Sequence, residues 1–325
     1  MPAASDFLPE KEIDGIRCLL CSGTRHSVRD ALKPAEIATS WAVMGVKLSA
    51  AGRACFADCG VIRHLACCTC GFQFFDPAPA GDSAFYGELQ RQFSEYYPKT
   101  CPAFDRAIEF ARRQHLGQVF DLGCGAGFFL DQARAAGLKT GGLDLNATAV
   151  ADCRAHGHDV QLRSMADFAA RNPTDRFRFI TAFEVVEHVP DPTAFVKDAA
   201  NLLQPGGWLG VSVPNNDGVH SLCELEPHQW PPHHLTRWRV ADLARLGQQA
   251  GLRLEESGAD IRHGWHIRFF MDLQGRIEEA LGRRPSVPGR WWPETVCLLY
   301  RASLMKQWGP HRGLGLYAFY QKPGY

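Results

Sequence analysis

Three places along the chain hold residues whose types and spacing can do chemistry: a glycine turn, a run of acids ending in histidine, and a cluster of cysteines. The glycine turn reads Val119-Phe120-Asp121-Leu122-Gly123-Cys124-Gly125-Ala126-Gly127-Phe128-Phe129, a buried strand running into a bend that opens a helix. Glycines at 123, 125 and 127 remove every Cβ where the backbone must bend sharply, so a nucleotide-bearing ligand can lie against main-chain N–H groups at a helix N-terminus. A dinucleotide turn wants G-x-G-x-x-G, but Phe128 stands where that pattern needs glycine, so no pyrophosphate is implied. Asp121 either braces the turn by accepting its N–H groups or meets the ligand directly. Downstream, Gly141-Gly142-Leu143-Asp144-Leu145 places an acid where a ribose diol needs a bidentate acceptor. Asp167, in Ser164-Met165-Ala166-Asp167-Phe168, either accepts from an adenine amino group, with Met165 or Phe168 flanking the ring, or caps a helix.

The cysteines gather near the start. Cys18-Leu19-Leu20-Cys21 and Cys67-Cys68-Thr69-Cys70-Gly71 form two C-x2-C knuckles, each able to point two thiolates at one ion. Four thiolates suit tetrahedral zinc and leave no open position for catalysis, so the zinc is expected to be structural. Spacing alone leaves open a rival set drawing on Cys55, Cys59 or Cys68, and also plain buried thiols. The long gap between the knuckles predicts a hairpin and a loop within 22–66.

Around these residues the pattern alternates strand and helix. Strands are expected at 117–122, 138–144, 158–162, 177–184, 207–213 and 253–257, and helices near 126–136, 147–156, 192–203 and 237–250. Asp191 before Pro192 and Thr236 before the last of these are candidate caps. The implied fold class is α/β, a doubly wound Rossmann-like sheet with a small N-terminal zinc-binding module. Such sheets bind ligands outside the carboxyl ends of their strands. A helix from Pro102 to about His115, with Phe104, Ala107, Ile108 and Ala111 on one face, is expected to cover the first strand. The divisions expected are 1–80 for the zinc module, 81–116 for a helical connector, 117–260 for the core and 261–325 for C-terminal helices and a final strand.

Lysine plus arginine total 35, as do aspartate plus glutamate, so the chain of 325 residues has no net charge and no general pull toward nucleic acid. The start, Met1-Pro2-Ala3-Ala4-Ser5-Asp6, shows neither a basic leader nor an apolar core, and no apolar run spans a bilayer. The expectation is a cytoplasmic protein without stable membrane insertion, its oligomeric state not given by sequence. Residues 261–312 stand apart, mixing His263, Trp265, His266, Phe269, Phe270, Trp291, Trp292 and Trp308 with arginines. Two helices near 265–281 and 294–307 are expected there, as a lid or packed on the body, with membrane-surface contact as the rarer alternative.

Taken together, F-D-L-G-C-G-A-G-F, G-L-D-L, M-A-D-F, E-V-V-E-H-V-P-D-P and P-G-G-W-L-G-V-S-V-P-N resemble a class I S-adenosylmethionine (SAM)-dependent methyltransferase over about 117–260. The cysteine knuckles resemble the zinc-binding front module of bacterial members, and residues 315–323 resemble the fold's last strand, inserted antiparallel between two others. The resemblance implies cofactor binding by Asp121, Gly123, Cys124, Gly125, Gly127, Asp144, Leu145, Ala166, Asp167, Phe183 and Glu184. In it the glycines approach the methionine part, Asp144 holds the ribose, Ala166 and Asp167 read adenine, and Phe183 and Glu184 face the sulfonium.

Methyl transfer from a sulfonium is an in-line displacement, for which alignment does most of the work. His188 is the candidate catalytic base, since an imidazole titrating near about 6.5 can act at neutral pH; Glu187 is its catalytic neighbour. E-x-x-E-H is also the spacing of ubiquinone-type and small-RNA 2′-O-methyltransferases, which implies a divalent ion at Glu184, Glu187 and His188, with His233 or His234 as a further ligand. Asn215 and Asn216, with His228, Gln229 and Trp230, either line an acceptor pocket or shape turns. The expected activity is methylation of a small hydroxylated acceptor such as a sugar or natural-product intermediate. A nicotinamide-dependent oxidoreductase and a non-catalytic zinc-bearing binding module are the alternatives.

Overall fold

The computed structural model describes residues 12–93, 96–261, 263–288, 292–309 and 312–324. The N-terminal leader reading, on Met1 to Asp6, and Trp291 lie outside the described residues. In chain order the elements are β1 (Glu12–Asp14), β2 (Arg25–Leu32), α1 (Pro34–Val43), α2 (Ala50–Arg53), β3 (Ile62–Cys67), β4 (Gln73–Asp76), α3 (Ser83–Gln92), α4 (Pro102–Arg113), β5 (Gln118–Leu122), α5 (Phe128–Ala135), β6 (Lys139–Asp144) and α6 (Ala147–Ala155). There follow β7 (Asp159–Leu162), α7 (Met165–Arg171), β8 (Phe177–Phe183), α8 (Pro192–Asn201), β9 (Leu203–Pro214), β10 (Thr236–Arg237), α9 (Val240–Gln249), β11 (Arg253–Ala259), α10 (Gly264–Ala280), α11 (Glu294–Trp308) and β12 (Gly315–Gln321). They divide into two compact units, one of residues 1–92, 219–238 and 264–307, the other of residues 93–218, 239–263 and 308–325.

The second unit holds a seven-stranded sheet in the order β11-β12-β9-β8-β5-β6-β7. Pairs β5–β6, β6–β7, β5–β8 and β8–β9 are parallel, and β12 runs antiparallel between β11 and β9. This is the Rossmann-like methyltransferase arrangement with its last strand reversed. Strand order reverses between β5 and its neighbours β6 and β8, which is where a doubly wound sheet opens its crevice. The loops at that edge are therefore the ones that follow β5, β6, β7 and β8.

Local chemistry explains the helix starts. Asp191 accepts from Ala194 N at 2.8 Å with Pro192 in the first turn, Ser164 accepts from Asp167 N at 3.1 Å, and Asn146 accepts from Thr148 N at 3.0 Å. Thr236 does not cap α9. It lies in β10, and Arg239 precedes the helix, its backbone N–H donating to Asp242. The helix expected from Pro102 forms as α4, but Phe110 rather than Ile108 completes its buried face. Phe110 stacks on Phe319 of β12 at 4.1 Å between ring centres and meets Trp208 of β9 edge-on, so α4 lies over the reversed strand and its neighbour.

The first unit is an antiparallel sheet in the order β1-β2-β3-β4-β10. Its edge strand β10 comes from residues 219–238, far along the chain. Between the cysteine knuckles β2 and β3 pair antiparallel as the expected hairpin, and the loop that joins them carries two helices, α1 and α2. Helix α1 opens with Pro34 in its first turn and the Lys33 N–H donating to the Glu36 carboxylate at 2.8 Å, and Ile37 and Trp41 bury its inner face. Helix α10 packs on α1 and on residues 219–222, within this same unit.

Candidate active site

The glycine turn takes the backbone through left-handed space three times, with φ of +78°, +51° and +84° at Gly123, Gly125 and Gly127. Space as well as strain excludes side chains: a Cβ at Gly123 would lie 2.6 Å from Val185 Cγ2. The turn is anchored by β6. Gly123 N and Cys124 N both donate to Leu143 O, at 2.8 and 3.0 Å, and Gly125 N donates to Asp144 Oδ2 at 2.8 Å. The other Asp144 oxygen accepts from Asn146 N at 2.7 Å. One carboxylate thus ties the bare turn to the tip of the neighbouring strand. Burial raises the Asp144 carboxyl, and the N–H groups of Asn146, Gly125 and Leu145 pull it back.

Asp121 does not brace the turn, whose N–H groups are taken by Leu143 and Asp144. It lies buried behind the bend and accepts from Thr181 Oγ1 at 2.6 Å, and burial pushes its carboxyl up to about 7 despite that hydrogen bond. Cys124 is buried as well, while Leu145 stands exposed beside Asp144. Ala166 and Asp167 are exposed on the first turn of α7, where Asp167 takes the cap from Ser164 through its own N–H. Phe168 is withdrawn from any ligand, packed on Phe120 and Phe177, which leaves half-buried Met165 as the flanking side chain. The Phe183 ring likewise turns into the core, 4.8 Å from Phe129 and 5.6 Å from Phe104 between ring centres.

At the end of β8, Glu184 holds φ of +53°, a conformation a non-glycine residue adopts only under constraint. Its N–H donates to Ser212 O and its carboxylate accepts from the Ser212 hydroxyl at 2.9 Å, so β9 fixes both ends of the residue. Glu187 is fully buried one turn on. Burial first, and the Glu184 charge second, hold its carboxyl well above the ordinary range. His188 keeps 22% of its side chain exposed, with Nε2 3.9 Å from Glu187 Oε1. The three do not converge as one ligand set within 4.8 Å of one another. The divalent ion expected at Glu184, Glu187 and His188 therefore rests on the resemblance alone. His233 and His234 belong to the first unit, packed with each other and with His228 near Trp41. Asn215 shapes its turn, accepting from Asp217 N at 3.1 Å and donating to Gly313 O.

Tyr97 is the residue that pattern reading missed. Its ring lies over Gly125, so close that a Cβ there would sit 2.8 Å from the ring, and its hydroxyl accepts from Asn146 Nδ2 at 3.1 Å. Burial pushes the phenol up to about 12, with the Asp144 charge adding to it. The Tyr96-Tyr97 doublet was visible in the chain but had no period or motif to place it.

In the first unit the two knuckles meet. Cys18 Sγ lies 3.6 Å from Cys70 Sγ, Cys21 Sγ lies 3.5 Å from Cys67 Sγ, and all four sulfurs fall within 4.8 Å of one another. Thiolates on a tetrahedral zinc with ~2.3 Å bonds stand about 3.8 Å apart, so this set fits the ion. The rival set is not formed: Cys55, Cys59 and Cys68 are outside the cluster. Burial pushes the Cys67 thiol up, but the N–H groups of Cys70 and Thr69 and the neighbouring thiols outweigh it and leave it at about 6.

Comparison with known proteins agrees with this geometry. The methyltransferase domain family matches residues 91–257, just over half the chain. Over 155 residues the chain is 33% identical to the ubiquinone biosynthesis O-methyltransferase of Thiobacillus denitrificans, covering 43% of this chain and 66% of that protein. Over 166 residues it is 31% identical to the enzyme of the same name from Xanthomonas euvesicatoria pv. vesicatoria, covering 46% and 69%. The chain thus spans about two thirds of the length of these relatives. A SAM-dependent methyltransferase structure from Archaeoglobus fulgidus aligns over 73% of this chain and all of that one, at 15% identity and a TM-score of 0.48. A bare turn strapped to a strand-end carboxylate, in a seven-stranded sheet with a reversed strand and under a family match of this extent, places the chain in the methyltransferase domain family as a class I SAM-dependent methyltransferase.

Proposed function

We propose that this protein methylates an oxygen of a small hydroxylated acceptor. The observation that carries the reading is the strap from Asp144 to Gly125, which joins two features that suit an adenosyl thioether: a glycine backbone free of Cβ atoms, against which a ligand can lie closely, and a strand-end carboxylate. Bound SAM supplies an electrophilic methyl group. Asp144 retains lone pairs to accept from ribose hydroxyls, and Ala166, Asp167 and Met165 bound the adenine side. Glu184, fixed by Ser212 at the end of β8, sets a negative charge at the rim, where a sulfonium is stabilised. His188 is the base that takes the acceptor's proton, and buried Glu187 beside it holds its position.

Oxygen as the methylated atom is supported by relatives named for O-methylation in ubiquinone biosynthesis. Sugars and phenolic natural-product intermediates are the acceptor classes to screen with labelled methyl donor. The four thiolates of Cys18, Cys21, Cys67 and Cys70 hold a structural zinc in this reading, since four sulfurs close the coordination sphere.

Titration of the purified protein with SAM and with NAD tests the proposal. SAM binds and NAD does not; Asp144→Ala weakens SAM binding by about 30-fold or more, the loss of hydrogen bonds to a charged group. His188→Ala keeps that binding but loses turnover. Binding of NAD alone would overturn the reading, and unchanged turnover in His188→Ala would remove the base.

A further inference from the structure

Of the twelve large apolar side chains exposed among the described residues, eight fall between 261 and 305. Helix α10 buries Ile267, Phe270, Leu273 and Ile277 within the first unit and turns Trp265 and Phe269 outward. Helix α11 goes further: of its fifteen residues only Cys297 and Leu304 are buried, while Leu298 and Leu299 are 65% and 71% exposed. Exposed apolar side chains clustered in this way mark a face suited to docking.

Between the two helices runs an open groove of about 340 Å³, with Arg268, Asp272 and Arg276 on one wall and Trp292, Glu294 and Arg301 on the other. Residues 265, 268, 269, 272 and 276 share one face of α10 by their spacing of three and four. Charge narrows the occupant. Residues 261–312 carry nine Lys or Arg against four Asp or Glu, an excess of five positive charges in a chain whose total is zero. A second copy docking on a two-fold axis would press this basic segment against itself. An uncharged apolar partner would desolvate three guanidiniums, Arg268, Arg276 and Arg301, against two carboxylates, Asp272 and Glu294. No helix among the described residues is long and apolar enough to cross a membrane, so a lipid partner is met at its surface.

We infer that the α10–α11 face docks on an anionic bilayer surface. Headgroup phosphates meet Arg268, Arg276 and Arg301 in the groove, where a guanidinium fork matches phosphate oxygens. Trp265, Phe269, Leu298 and Leu299 enter the boundary between headgroups and acyl chains. The surface belongs to the first unit and the glycine turn to the second, so the inference stands or falls independently of the acceptor.

Co-sedimentation of the full chain with vesicles decides it. Wild type pellets with phosphatidylglycerol–phosphatidylcholine vesicles at low salt and not with pure phosphatidylcholine. Paired Arg268→Glu and Arg301→Glu substitutions weaken the binding roughly tenfold or more, given about 1 kcal/mol for each basic residue near the surface. A second variant, Leu298→Ser with Leu299→Ser, weakens it through the apolar half, while SAM titration of both variants matches wild type. Absence of wild-type binding to the anionic vesicles overturns the inference, as does equal binding to both vesicle types. So does a dimer in ultracentrifugation that the same substitutions disperse without any vesicle binding.

Discussion

Asp144 and Asp121 are two carboxylates of one cradle held in opposite ways. Asp144 faces the turn and accepts from main-chain N–H groups, whereas Asp121 sits behind it, sealed from water with the Thr181 hydroxyl. The consequence is a pH dependence of known sign. The folded Asp121 carboxyl titrates at about 7 against an ordinary 3.8, so its contribution to stability is complete below about pH 4 and is lost as pH rises through 7. Asp121→Asn removes the charge and keeps an acceptor for Thr181, so it gains on wild type across that window by up to roughly 4 kcal/mol. Thermal unfolding at pH 5, 6.5 and 8 checks this, and a difference that is flat with pH counts against it. The glycines and Asp144 were legible in the chain because local backbone geometry dictates them. The partner of Asp121 was not, for it lies 60 residues away on another strand.

Among elements, the parallel strands announced themselves through short apolar runs bounded by turns, and β6, α6, β7, β8 and α8 arose close to the expected bounds. The connection before α4 did not, since Tyr97 is held at the site by contacts far along the chain, with Gly125 and with Asn146, 49 residues on. Tyr97 walls the glycine turn, and that role has its own signature. Tyr97→Ala weakens SAM binding by about tenfold through lost contact with the bound ligand, whereas Tyr97→Phe, which loses only the Asn146 hydrogen bond, costs about threefold. Calorimetric titration of both reads the difference; equal and unaltered affinities would show that the ring is merely packing. Thr236 failed as a cap for a related reason. Its neighbours are strand partners on β4, and pairing overrides a capping preference that is only local.

At the scale of the molecule, the cysteine knuckles were readable from spacing, but the unit around them was not, because three separated stretches of chain build it. Buried Arg237 shows how the middle stretch is held: its guanidinium pairs with the Glu224 carboxylate at 2.5 Å, donates to the Glu224 and Gln229 carbonyls, and lies over the Trp230 and Phe75 rings. Metal analysis of the purified protein is expected to find one zinc per chain, and Cys70→Ser to lower the apparent melting temperature by roughly 5 °C or more. Less than one zinc in wild type would refute that assignment. The borrowed edge strand β10 also bears on biogenesis. A ribosome that has released residue 92 has not yet made the piece that completes the front sheet, so the nascent fragment waits with an open hydrogen-bonding edge on β4 until residue 237 emerges. Transplanting the first ninety residues onto another enzyme would carry that unfinished edge along, and the graft would need the later stretch supplied in trans.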